Sequence, residues 1–150
     1  MGLTTRGPKT GQLRHTPVNY ALRDGDVCCI AGFGSVAHWA RNLAAHPEAE
    51  VQLPAGRFWG RVQTVTDDLE RLRIGREILK NAGFAGFFFG FNPFATSDEM
   101  LARGIAGVPV YRITPSRASP ATFDPGGAGW IGTTILWLAL ILLLIVILAR

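Results

Sequence analysis

The chain has 150 residues, 48% of them hydrophobic, and 15 Lys and Arg against 11 Asp and Glu give a formal net charge of +4. That length allows one domain by default. The two cysteines, adjacent at Cys28 and Cys29, exclude a disulfide framework and a cysteine-ligated zinc site and suit a reducing cytoplasm.

The opening stretch Thr4 to Gly11, "TTRGPKTG", is built of small hydroxylated residues, glycines, one proline and two cations, and reads as a loop rather than a helix or strand. Arg6, Lys9, Arg14 and Arg23 all precede the first acid, Asp24. Such a local excess suits nucleic acid, anionic lipid or an anionic ligand, or an ordinary solvated face. Gln12 to Leu22 reads as a strand whose proline suits an edge or a bulge. Arg23-Asp24-Gly25-Asp26 is a hairpin turn signal, and Val27 to Ile30 supplies the partner strand, ending at Ala31-Gly32-Phe33-Gly34. In that strand Cys28 and Cys29 point to opposite faces.

Val36 to Ala45 predicts a short helix, stopped before Pro47. Val51 to Leu53 resumes a strand, Pro54-Ala55-Gly56 turns it, and Arg57 to Val65 returns antiparallel. Asp67 with Glu70 makes a capping-box-like start for a helix running to Asn81 and ended by Gly83. Gly83 to Ala95 carries six phenylalanines in thirteen residues. It reads as a buried helix junction, or as an apolar wall over a ligand or a lip dipping into a membrane. Thr96 with Glu99 begins another helix ending near Gly104, and Val108 to Thr114 is a last strand. Strand-turn-strand units dominate, so a small antiparallel barrel with helical insertions, mainly β in class, is the expected architecture.

Pro115 to Gly129 is a linker rich in Pro, Ser and Gly. Trp130 to Ala149 carries no charge, and thirteen of its residues are Leu, Ile or Val. About 20 residues at 1.5 Å each make a helix roughly 30 Å long, the thickness of a bilayer's hydrocarbon core. The expected division is a folded domain over 1–114, a linker over 115–129 and a C-terminal transmembrane helix over 130–149. The amino end shows no apolar run after a charged start, so the domain is expected in the cytoplasm, anchored to the cell membrane by its tail. His15, His38 and His46 are scattered without a metal-ligand pattern, and no metal is expected.

Gly32-x-Gly34-x-x-Ala37, after a strand and before a helix, also matches the dinucleotide-binding fingerprint. Against a Rossmann domain, Val51 to Leu53 ends in Pro54-Ala55-Gly56 rather than the acid that would hold a ribose. No further βαβ unit follows.

Read together, "TTRGPKTGQLRHTPV", "AHWARNLAAHPEAEV" and "VPVYRITP" resemble the motifs of the deazaflavin-dependent nitroreductase and F420H2-dependent quinone reductase family. The resemblance covers about Leu3 to Ser116. It implies a split β-barrel of the flavin-reductase and pyridoxamine-phosphate-oxidase kind, and coenzyme F420 as cofactor, with FMN the alternative. It further implies hydride transfer to a quinone or nitro-aromatic acceptor. Arg6, Lys9, Thr10, Gly11 and Arg14 would contact the cofactor's anionic tail. The chemistry agrees, since glycines admit backbone N–H groups to an oxyanion and cations neutralise it. Pro17 and Val18 would lie against the ring system, with Ala31 and Gly32 allowing close backbone approach. Trp39 and Asn42, helped by Arg41, would fix the sugar-alcohol and phosphate portion.

Two departures stand out. Pro8 occupies a position where the family usually has a basic residue, and the chain begins just before the motif, where members usually carry a helix. The expected partners are the bilayer and a small-molecule acceptor, without nucleic acid. Oligomer state stays open, although barrels of this kind commonly pair as homodimers. The rival readings are a tail-anchored module that binds flavin, haem or lipid without turnover, and an adaptor whose basic face meets anionic lipid.

Overall fold

A computed structural model describes residues 1–82, 92, 95–119 and 135–141. The chain divides into two compact units, Met1–Pro120 and Ala121–Arg150. The first unit contains strands β1 (Gly2–Arg6), β2 (Leu13–Pro17), β3 (Tyr20–Arg23) and β4 (Asp26–Ile30). A 3-10 turn (Gly34–Val36), helix α1 (His38–Ala45), β5 (Glu48–Leu53) and β6 (Gly56–Thr64) follow. Helix α2 (Asp68–Asn81), helix α3 (Asp98–Gly104) and β7 (Val110–Ala118) come next among the described residues. Every neighbouring pair is antiparallel, in the spatial order β2-β1-β5-β6-β7-β4-β3.

This order forces curvature. β2 and β3 lie at the two outer edges of a seven-stranded sheet, yet only Val18 and Asn19 separate them in the chain. Three peptide links from Pro17 to Tyr20 span at most about 11 Å, whereas six inter-strand steps would cover roughly 29 Å in a flat sheet. The sheet therefore rolls until its edges approach, giving a curled half-barrel of the split-barrel kind. Its inner face packs Leu3, Val27, Cys29, Val51, Val62 and Ile113 against Trp39, Ala40 and Leu43 of α1. On the outer face Ala21, Cys28 and Val110 pack against Ile74 and Ile78 of α2. The adjacent cysteines thus enter opposite clusters, and both are fully buried.

Local chemistry explains the joints. Asp24 and Gly25 adopt φ 52° and 84°, the paired positive values of a two-residue turn whose twist suits a hairpin. Asp67 accepts a hydrogen bond from the Glu70 N–H at 2.7 Å and caps α2, as its spacing predicted. At Gly60 the β6–β7 register shifts, and an added Cβ would lie 2.5 Å from Ile113 Cγ2 and 3.0 Å from the Thr114 carbonyl oxygen.

Several expectations are corrected. Thr4 to Arg6 belong to β1 rather than to a loop, because Leu3 and Thr5 are drawn into the core. Gln12 to Leu22 is two strands, broken at the edge-to-edge crossing. Val36 belongs to the 3-10 turn, and the strand predicted from Val51 already starts at Glu48. Helix α3 is capped by Ser97, whose hydroxyl accepts from the Met100 N–H, while the Thr96 hydroxyl donates to the Asn92 carbonyl at 2.6 Å. The last strand runs past Thr114 through Pro115 to Ala118. β4 pairs only with Val110 to Ile113, so beyond that point β7 is an edge and the missing proline N–H is tolerated. No described strand pair is parallel, which removes the Rossmann alternative.

In the second unit residues 135–141 are helical. No helix among the described residues is long and apolar enough to cross a membrane. The rest of the predicted span over 130–149, most of the phenylalanine-rich stretch and Gly83 lie outside the described residues.

Candidate functional site

An apolar cleft of about 260 Å³ opens where the β2–β3 crossing, the end of β4 and the flanks of α2 and α3 meet. Pro17, Val18, Gly32 and Trp39 all line it. At Gly32 an added Cβ would meet nothing within 4 Å, so the missing side chain keeps volume open in the cleft. The opposite wall comes from Ile78, Leu79, Leu101 and Ile105, none of which sequence reasoning assigned. The signal was present in α2, where Ile74 and Ile78 recur one turn apart. Gly75 between them lets Ile105 close in, since a Cβ there would sit 3.3 Å from its Cδ1. Two arginines of α2 hold this wall: Arg71 donates to the Ile105 and Val108 carbonyls at 3.0 and 3.2 Å, and Arg76 to the Thr96 carbonyl at 2.7 Å.

Trp39 meets Tyr111 edge-to-face at 5.6 Å. Burial, reinforced by the neighbouring Cys29, raises the Tyr111 phenol above its ordinary value, so it stays neutral beneath the indole. Ala31 lies outside the cleft lining. It is buried in the core, and its N–H donates to the Pro109 carbonyl at 3.0 Å. Among the described residues no ionisable side chain lines the cleft.

The β1–β2 hairpin leads away from this cleft. Gly2 pairs with Pro17 at the cleft end and Arg6 with Leu13 at the other, four register steps or roughly 14 Å apart. The tip closes through Gly7 N–H to the Gln12 carbonyl at 2.8 Å and Gly11 N–H to the Gly7 carbonyl at 2.9 Å, with Gly11 at φ 68°. Lys9 and Thr10 are exposed on that tip. Strand alternation divides the other cations. Arg14 pairs with Thr5, whose buried hydroxyl accepts from Asn42 Nδ2 at 2.9 Å, so Arg14 stands on the α1 face. Arg6, one residue on from Thr5, faces the other way and donates to the Gly11 carbonyl at 3.3 Å. Arg14 also donates to Gln12 Oε1 at 2.9 Å. Arg41 is exposed on α1, while the Asn42 amide ties α1 to β1.

Arg23, Arg71, Arg76, Arg112 and Arg117 each have a carboxylate partner. Arg6, Lys9, Arg14 and Arg41 have none among the described residues, so their charge remains available to an anion. The cleft is smaller than the 300–1,000 Å³ or so of ordinary ligand pockets. It takes a planar ring but not a long tail, which must run outside along the protein. The residues present thus fit a molecule with a flat apolar head and an extended anionic tail.

Solved structures share the fold. A conserved hypothetical protein from Mycobacterium tuberculosis is 22% identical, with a TM-score of 0.56 over 77% of this chain and 72% of that one. A protein of unknown function from Agrobacterium tumefaciens is 18% identical, with a TM-score of 0.52 over 79% of this chain and 48% of that one. The heme storage protein HutZ from Vibrio cholerae is 15% identical, with a TM-score of 0.50 over 78% and 81%. No curated protein matches the chain. These likenesses define a split-barrel protein. Residues 1–85, more than half of the chain, match the F420H(2)-dependent quinone reductases, and the chain belongs to that family. It is an F420-dependent oxidoreductase, and coenzyme F420 is its cofactor.

Proposed function

We propose that this protein reduces a quinone with F420H2 while its 130–149 segment holds it at a bilayer. The cofactor ring would occupy the cleft between Pro17, Val18, Trp39 and the α2 wall, and the tail would follow the α1 face of the β1–β2 hairpin past Arg14 toward Lys9, Thr10 and Gly11, with Arg6 on the opposite face. One observation carries this reading. Pro17, Val18, Gly32 and Trp39 converge on one apolar cleft, at the base of a hairpin whose far end holds cations without acid partners.

When bound, the reduced cofactor supplies a hydride from the ring carbon that replaces a flavin nitrogen. The chain's residues do the rest. Gly32 leaves room for a flat ring, Trp39 and Val18 exclude water from it, and the Arg71 and Arg76 struts fix the wall opposite. Arg14 and Lys9 neutralise phosphate and carboxylate charge away from the reacting atoms, so they govern affinity rather than chemistry. A quinone suits the apolar lining; a nitro-aromatic acceptor would use the same surface.

The direct test is a titration of the full chain with F420, FMN and NADPH side by side, read by fluorescence. F420 is expected to bind most tightly, and tighter FMN binding would overturn the assignment of the cleft. Lys9→Glu is expected to weaken F420 by about 1–3 kcal/mol, or roughly 5- to 150-fold in Kd, through loss of a charge-assisted contact. An unchanged constant would take the tail off the hairpin tip.

A further inference from the structure

Phe33 lines the cleft and is nevertheless 76% exposed. Isolated surface phenylalanines are ordinary, but this one is presented by a stiff turn at the mouth of an apolar cavity. The Gly34 N–H donates to the Ala31 carbonyl at 2.6 Å, the Ala37 N–H to the Gly34 carbonyl at 3.3 Å, and Gly34 takes φ 66°. Val36 on the same turn is 71% exposed. The backbone on both sides of Phe33 is therefore fixed while its ring lacks full cover.

A cleft of about 260 Å³ does not hold two planar reactants side by side. A second ring must lie across its mouth, where one face meets the first ring and the other is left to whatever stands outside. Aromatic faces pair favourably in offset or edge-on geometry. Resting on the function proposed above, we infer that Phe33 is the outer face of the acceptor site. A flat quinonoid or aromatic acceptor lies between the ring held in the cleft and the Phe33 phenyl. Phe33 then determines acceptor affinity and selectivity for planar molecules, and leaves cofactor affinity to the inner walls.

The test uses the full chain with menadione as acceptor. Wild type, Phe33→Ala and Phe33→Trp are compared for menadione KM, and F420 Kd is measured separately by fluorescence. Phe33→Ala is expected to raise the menadione KM about tenfold with F420 Kd within twofold of wild type, and Phe33→Trp to restore a low KM. An unchanged menadione KM in Phe33→Ala overturns the inference. So does a parallel loss of F420 affinity, which would put Phe33 in the cofactor's site. Absence of F420 binding or of menadione turnover by wild type overturns the proposed function itself, and the inference with it.

Discussion

Cys29 is fully buried in β4, and desolvation, with Cys28 alongside, pushes its thiol up to about 12. Cys28 is raised as well, chiefly by burial. A raised folded-state value means that the unfolded chain releases its proton first. The stability Cys29 contributes is complete below about pH 9 and is lost as pH climbs toward 12, by about 1.4 kcal/mol per pH unit. Urea midpoints measured between pH 8 and pH 10 should therefore fall, and Cys29→Ala should flatten that fall. A slope equal in both proteins would show that the thiol is not desolvated. At this scale the sequence was partly legible. Period-two alternation was enough to send Cys28 and Cys29 to opposite faces, whereas the bond from Asn42 to Thr5 joins residues 37 apart and leaves no local signature.

Among the elements, β6 and β7 come closest at Gly60, where their register shifts. Any β-carbon there meets the fully buried Ile113 and the Thr114 backbone, and neither can swing away like the tip of a long side chain. Gly60→Ala is expected to cost about 1–3 kcal/mol through overpacking, seen as an earlier midpoint in chemical denaturation. A midpoint unchanged from wild type would mean that β6 shifts freely against β7. Turn and cap chemistry made other elements readable in advance, notably the Asp24-Gly25 hairpin and the Asp67 cap of α2. The crossing at Val18–Asn19 was not readable. It carries no glycine, Pro17 before it suits a bulge equally well, and only the position of distant strands decides between the two. The extension of β7 through Pro115 was hidden likewise, because whether a proline is tolerated depends on which side of the strand is paired.

For the whole molecule, strand order is the part that propensity does not contain. Residues near the amino end pair with β5, and β4 pairs with β7 across most of the domain. The inner half of the candidate site, Pro17, Val18, Gly32 and Trp39, was accessible through motif resemblance. Of the α2–α3 wall only the apolar recurrence in α2 was visible, since its place opposite them exists only once the sheet has rolled. The proposed anchor also acts at this scale. Removing Trp130 to Arg150 should leave reduction of soluble quinones intact and slow reduction of long-tailed quinones embedded in vesicles. Equal rates on vesicles for both forms would remove the anchor's role in delivering substrate.

The pairing of Val27 with Ile113 has a consequence for biosynthesis. More than eighty residues must leave the ribosome after β4 before β7 can join it, roughly 4–17 s at ordinary elongation rates. Throughout that interval the nascent β3–β4 hairpin offers a bare strand edge, with two apolar faces, to any neighbouring polypeptide. Yield in a foreign host should therefore depend on holdase chaperones and on how crowded the polysomes are, more than on the stability of the finished enzyme.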